Sequence, residues 1–377
     1  MIPFNIPNVP EKSKQYVMQA LESPHQQGDG PFTTKVTELI SNLVGGGNVL
    51  LTPSCTHALE MASMLAEIGP GDEVILPSYT FTSAATAITK FGATPVFVDI
   101  EPESKGIAVD QVRHAITNKT KAISWVNYAG VAPDVDGLLG LAKDFDLLLI
   151  EDNAHGLFAK YRGKYLGTFG ALATQSFHET KNITCGEGGA LVINDASLAE
   201  RAEILREKGT DRTKFLRGQV DKYTWVDTGS SWVISDLLAA ILFGQLSRAD
   251  EIYKQRMNIW NRYHTELETW AWNNNVVLPT VPEGCEHTGH VYHLRFQRGD
   301  QRDKFIEHLK RLGIYAVFHY QPLHLSTVGR TLGGRDGQFP FTESAGDCLV
   351  RLPLFNALTN DEQTYIIESV TAFSPGS

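Results

Sequence analysis

Residues 146–155 read DLLLIEDNAH, and residues 172–181 read LATQSFHETK. Each opens as a short apolar run and closes on polar residues, the pattern of a strand buried on both faces. Four further runs accompany them: EVILPSYTF (73–81), TPVFVDI (94–100), KAISWVNYAG (121–130) and GALVIND (189–195). Helical spacing separates several of these. In THALEMASMLAEIG (56–69), Leu59, Ala62, Leu65 and Ala66 share one face, and Gly69 is placed to end the helix. Apolar strands alternating with helices predict an α/β fold on a mostly parallel sheet covered on both faces. Ligands of such sheets bind beyond the carboxyl ends of the strands, so the residues just after each run are the candidates for chemistry.

Past residue 235 the character changes. The helical pattern of residues 235–270 predicts one long bridging helix. HVYHLRF (290–296), DKFIEHLKRLG (303–313) and IYAVFHY (314–320) then read as strand, helix and strand. The expected organisation is a large domain over 1–245, with an N-terminal arm, and a smaller α/β domain over 246–377.

Of 377 residues, 42% are hydrophobic and 20% charged, which excludes a disordered or fibrous chain. The formal net charge of −10 offers no footprint for nucleic acid, so an anionic ligand needs a local basic cluster. Cys55, Cys185, Cys285 and Cys348 lie far apart with no CxxC pair, as suits a reducing compartment. The opening MIPFNIPNVP lacks the pattern of a signal peptide, and the apolar stretch Leu237–Ser247 is too short to cross a bilayer. A cytoplasmic protein with no membrane or nucleic-acid partner is expected.

Gly45-Gly46-Gly47 precedes a strand and no GxGxxG opens a helix, which argues against a dinucleotide site. Asp152, after Glu151 at the end of its run, points either into the ligand crevice or to a helix N-cap. Lys181 is either a solvated lysine or one held in a dry pocket to form a Schiff base. In LTPSCTHALEMA (51–62) a strand turns into a helix near Thr56. There Ser54, Cys55 and Thr56, with Ser176, make either an anion site or a plain cap. Pyridoxal phosphate needs a lysine for its aldehyde, a carboxylate for its pyridinium nitrogen and donors for its phosphate. Each piece alone is weak; their order along the chain is not.

That order, with GDGPF (28–32), PSCTHALEMA (53–62), IEDNAHG (150–156), SFHETKN (176–182), GEGGALV (186–192) and HYQPLH (319–324), resembles the DegT/DnrJ/EryC1/StrS sugar aminotransferases across essentially the whole chain. The resemblance implies a fold-type I pyridoxal 5′-phosphate enzyme. Lys181 then carries the cofactor, Asp152 keeps its ring nitrogen protonated, and Phe81 lies against its face. Ala154 and His155 follow the acid as in the family motif, and Ser176 with Ser54, Cys55 and Thr56 forms the phosphate cup. HYQPLH adds His319, Tyr320 and His324 as sugar-binding candidates. SFHETKN, LREKGTDR (205–212), RGQVDKYTWVDTGSS (217–231) and VFHYQPLH (317–324) look like the branch that aminates dTDP-4-keto-6-deoxyglucose at C4, with L-glutamate as amino donor. A 3-keto sugar, another nucleotide, or a non-catalytic pyridoxal-phosphate-binding regulator are the alternatives.

The resemblance implies a homodimer in which a partner asparagine completes each site; Val233 stands in that position here, so the contact is either lost or moved to Ser230 or Ser231. The stretch SSWVISDLLAAILFGQL (230–246) offers an apolar surface for such a dimer. Arg212, Lys214 and Arg217 belong to a local basic cluster suited to a diphosphate. The run Cys285, His287, His290, His293 mimics a metal site, but strand alternation sends His290 and His293 to opposite faces, so no metal is expected.

Overall fold

The computed structural model describes residues 1–375, so the last two residues of the expected 246–377 unit lie outside it. The first five strands are β1 (Asn48–Thr52), β2 (Glu73–Pro77), β3 (Thr94–Val98), β4 (Thr120–Val126) and β5 (Leu148–Asp152). A small hairpin, β6 (Lys160–Tyr161) and β7 (Lys164–Tyr165), precedes β8 (Leu172–Ser176) and β9 (Gly189–Ile193). Seven of these form one sheet in the order β1-β9-β8-β5-β4-β2-β3. Only β9 runs against its neighbours. The six apolar runs of the sequence are six of its seven strands, and β1 is the seventh.

Alternation along each strand explains how both faces are covered. Ile75, Ile123 and Leu149 join a core with the helices Val109–Ala115 and Val135–Phe145. Their neighbours Val74, Leu76, Ala122 and Ile150 join the opposite core, with the helices Cys55–Leu65 and Thr82–Thr89. A one-residue slip in register would exchange the two sets.

Past the large sheet come β10 (Cys285–Glu286), β11 (Tyr292–Arg295), β12 (Val317–Phe318) and β13 (Leu349–Leu352). The last three form an antiparallel sheet in the order β11-β13-β12. Their core includes Ile2, whose backbone pairs with Gly313 and Tyr315.

Three expectations about elements are corrected. The 56–69 helix ends at Leu65, because Glu67, not Gly69, takes the left-handed conformation and its N–H bonds the Met64 carbonyl. The bridging helix is two, Asp236–Leu246 and Ala249–Asn273, broken at Ser247 and Arg248. Ala249 and Ile252 pack with the large sheet and Ile259 onward with the small one, so the two cores meet within the second helix. Of IYAVFHY only Val317 and Phe318 are strand. On 236–246, Ala239, Ala240, Leu242 and Leu246 pack with Phe32, Val36 and Ile40, while Leu237, Leu238, Ile241 and Phe243 stay half-buried.

Candidate active site

A cavity of about 610 Å³ opens at the carboxyl ends of β5 and β8. Ser54, Cys55, Thr56, Phe81, Asp152, Ala154, His155, Ser176, Lys181, His319 and Tyr320 all line it. Eleven positions, from Ser54 to Tyr320, thus converge on one space, as strand-end residues in a wound sheet must.

Alternation along β5 divides its two acids. Glu151 faces away, accepting the N–H groups of Gly167 at 2.6 Å and Phe169 at 3.1 Å and the Asn127 amide at 2.8 Å, a structural role. Asp152 faces the cavity and starts no helix, so it is not a cap. Its Oδ1 accepts the Ala154 N–H at 3.1 Å, the Thr174 hydroxyl at 3.5 Å and the Cys55 thiol at 4.0 Å. Every hydrogen bond found for this carboxylate among the described residues falls on Oδ1, which leaves Oδ2 for a cationic N–H. Burial pushes its pKa up, and the Ala154 N–H and Lys181 oppose that push.

Lys181 follows β8 through a turn closed by its own N–H to the His178 carbonyl at 2.9 Å. Its amine makes no ion pair among the described residues. Burial lowers its pKa to about 8, against the pull of Cys55 and Asp152. An amine so placed is partly unprotonated near neutrality, as a nucleophile or base must be.

Ser54 caps the helix, its Oγ accepting the His57 N–H at 3.2 Å, and still lines the cavity with an O–H able to donate. The N–H groups of Cys55 and Thr56 have no partner among the described residues at the start of an eleven-residue helix, and the hydroxyls of Thr56 and Ser83 lie 2.7 Å apart beside them. β9 approaches this turn so closely that a Cβ on Gly189 would lie 2.4 Å from the Cys55 nitrogen. Only glycine fits there.

The remaining wall is imidazole and phenol. The His155 and His290 rings are 4.3 Å apart, and Tyr128 Oη lies 3.1 Å from His319 Nδ1. Arg351, on β13, also lines the cavity; its guanidinium sits 4.6 Å from the Phe4 ring, Nη2 donates to the Phe318 carbonyl and Nε is buried without a partner. No carboxylate of the described residues pairs with it.

Other expected residues lie elsewhere. His324 is fully buried between Ser78 and Glu343, behind the wall that it was expected to form. Ser230 and Ser231 are exposed and outside this chain's cavity. Arg212, Lys214 and Arg217 are also outside it, each paired with a carboxylate: Glu207 at 3.3 Å, Glu200 at 2.7 Å and Glu203 at 2.7 Å. Carboxylates one turn along the preceding helix reach them before any ligand of this cavity does. His290 is a correction too: β11 begins at Tyr292, so alternation does not extend back to His290, which lines the cavity. His287 packs on Trp260 with ring centroids 4.3 Å apart, and no metal-binding group gathers among the described residues.

Sequence reasoning missed Arg351 and Thr174. An arginine inside the apolar run LVRLPLF (349–355) was the available sign, since a charge there must face a polar space.

The donor set fits pyridoxal phosphate. Free N–H groups at a helix start suit a phosphate, the open oxygen of Asp152 suits a pyridinium, and the unpaired amine of Lys181 suits an aldehyde. The sequence matches one family over residues 7–371. This chain belongs to the DegT/DnrJ/EryC1/StrS aminotransferase family. A family relative from Bacillus subtilis, a spore coat polysaccharide biosynthesis protein, is 30% identical over 100% of this chain and 98% of its own. A pleiotropic regulatory protein of Geobacillus stearothermophilus is 36% identical over 84% of this chain and 82% of its own. A putative sugar aminotransferase of Streptococcus pneumoniae, solved in its PMP form, superposes with a TM-score of 0.91 at 29% identity over 98% of both chains. The chain is thus a fold-type I, pyridoxal-phosphate-dependent aminotransferase. No helix of the described residues is long and apolar enough to cross a membrane.

Proposed function

We propose that the enzyme moves an amino group from L-glutamate to the keto carbon of a nucleotide-linked 4-keto-6-deoxyhexose. The substrate of choice is dTDP-4-keto-6-deoxy-D-glucose and the product dTDP-4-amino-4,6-dideoxy-D-galactose. The sugar class is supported by the names of the Bacillus and Streptococcus relatives. The C4 position and the nucleotide are supported by the segments 176–182, 205–212, 217–231 and 317–324. The observation that carries amino transfer, as against passive cofactor binding, is that Lys181, with its depressed pKa, and Asp152 share one cavity.

Bound pyridoxal phosphate supplies an electron sink for the bond broken at the amino donor's Cα. The side chains do the rest. Asp152 Oδ2 holds a proton on the ring nitrogen, and Thr174 and Cys55 keep its other oxygen turned away. The Cys55 and Thr56 N–H groups, with the Ser176 and Thr56 hydroxyls, bind the phosphate. Phe81, Ala154 and His155 enclose the ring. Lys181 Nζ takes up the Cα proton of the donor. Arg351, a cation without a carboxylate, holds the donor's carboxylate, and His319 and Tyr320 face the sugar.

A homodimer with composite sites completes the proposal. Trp225 is 75% exposed and Leu216 62%, on the segment that also carries Arg212, Lys214, Arg217, Ser230 and Ser231. Across an interface these residues supply the partner's cavity with a diphosphate grip and phosphate hydroxyls. The deciding experiment is turnover of a panel of keto-sugar nucleotides with glutamate, with products read by mass spectrometry and NMR. Nitrogen at C4 of the dTDP sugar is expected. Nitrogen at C3, or product from another nucleotide alone, overturns the substrate assignment; no nitrogen transfer overturns the reaction.

A further inference from the structure

The two imidazoles packed together at the cavity wall, His155 and His290, present opposite hydrogen-bonding characters, and their neighbours fix which is which. Asn182, next to Lys181, donates its Nδ2 to the Thr288 carbonyl at 3.1 Å. A carbonyl only accepts, so the amide has one orientation, and Asn182 Oδ1 is the acceptor 2.8 Å from His290 Nδ1. His290 therefore carries its hydrogen on Nδ1. Burial, with His155, Lys181, Arg256 and Arg351 around it, lowers its pKa well below the usual histidine value, so the ring is neutral and Nε2 is a bare lone pair. Nε2 has no partner among the described residues.

His155 is the reverse. The Ala129 N–H donates to its Nδ1 at 3.3 Å, so the hydrogen of the neutral ring sits on Nε2. Burial lowers this pKa as well, and Lys181 and Arg351 add to the effect. Nε2–H then donates to the Tyr320 hydroxyl oxygen at 3.3 Å, which leaves the phenolic hydrogen free for an acceptor in the cavity. Both polarities are anchored on backbone groups, a carbonyl at Thr288 and an N–H at Ala129, and so are set before any ligand arrives.

Resting on the sugar-substrate reading above, we infer that His290 Nε2 and the Tyr320 O–H form an acceptor–donor pair that reads ring hydroxyls of the keto sugar. A hydroxyl both donates and accepts, so it satisfies either group. A site built this way rejects an analogue lacking the hydroxyl, because its own polar groups are then left unpaired. Glutamate's carboxylates can accept from the Tyr320 O–H but have no hydrogen for His290 Nε2, so they cannot satisfy both members at once. The pair therefore determines specificity for the second substrate and not the first.

The first test is NMR of holoenzyme labelled with 15N-histidine, with His290→Phe and His155→Gln used for assignment. Nδ1–H at His290 and Nε2–H at His155 are expected at pH 7; the opposite tautomers, or an imidazolium at His290, overturn the inference. The second follows the two half-reactions by stopped flow. His290→Phe keeps a ring and loses the lone pair; Tyr320→Phe loses only the hydroxyl. Each is expected to weaken the keto-sugar nucleotide about three- to tenfold, the worth of one hydrogen bond, with the loss confined to that half-reaction. His290→Gln, which restores an acceptor, recovers part of it. Keto-sugar nucleotides deoxygenated at C2 or C3 should cost the wild type a similar factor at the position read and leave the variant indifferent. Equal damage to both half-reactions overturns the inference, and so does a shifted cofactor absorbance in His290→Phe, which would give Nε2 to the cofactor's own hydroxyl. Failure of the wild type on every keto sugar overturns the sugar reading and this inference together; wild-type turnover with indifferent variants overturns this inference alone.

Discussion

Ser78 Oγ and His324 Nδ1 lie 2.7 Å apart with both residues fully buried, 246 positions apart in the chain. The His324 backbone N–H also donates to Ser78 Oγ at 3.0 Å, and its Nε2 meets Glu343 at 3.2 Å. Ser78 directly follows β2 of the large sheet, whereas His324 ends the segment that carries His319 and Tyr320. The pair therefore fixes one wall of the cavity to the other.

His324→Ala is expected to destabilise the fold by about 2–3 kcal/mol, since it leaves buried partners unsatisfied. Chemical denaturation measures this. Ser78→Ala should be less costly, and the double variant should cost less than the sum. Strict additivity would mean that the two side chains do not act as a unit.

Lys181 is expected to be the residue pyridoxylated by borohydride, read by peptide mapping; label elsewhere removes it from the mechanism. Without cofactor, its depressed pKa of about 8 also makes a stability prediction. Above about 10.5 the amine is neutral folded or unfolded and exerts no penalty. As pH falls toward 8 the unfolded chain binds a proton that the folded one resists, so stability drops. Relative to Lys181→Met, the apoenzyme should therefore lose on the order of 2–3 kcal/mol between pH 10.5 and 8. A pH-independent difference between the two would show that the amine is not buried.

Asp152→Asn should keep the fold and much of the cofactor while losing most turnover. An amide fits the same hydrogen bonds from Ala154 and Thr174 but places no charge opposite a ring N–H. Near wild-type turnover with a normal cofactor spectrum would remove Asp152 from its role.

Arg351→Gln and Arg212→Ala should separate the half-reactions. Loss of the Arg351 guanidinium should weaken glutamate about tenfold or more, because a charge-assisted contact is worth ~1.5–3 kcal/mol. Loss of Arg212, with Lys214 and Arg217, should act on the sugar nucleotide, and only in a dimer. Sedimentation at assay concentration checks the second condition: a fully active monomer would leave those residues outside any active site.

What the sequence determined by itself is local. Six apolar runs predicted strands β2, β3, β4, β5, β8 and β9, because burial on both faces is written into four or five consecutive side chains. The order of a helix start, an acid at a strand end and a lysine after the next strand predicted the cofactor site, because a wound sheet brings strand ends together wherever they lie in the chain. Tertiary structure decided what depends on distant partners. Whether Ser54 caps the helix was open until the fold brought the His57 N–H to its Oγ. Arg212, Lys214 and Arg217 read as an unpaired cationic cluster until the fold set a glutamate beside each of them. His290 owes its tautomer to Asn182, 108 positions away, and Arg351 owes its lack of a counterion to the strand that delivers it to the cavity. A side chain's charge, proton position and freedom are set by what folds against it, and no periodicity in the sequence encodes that.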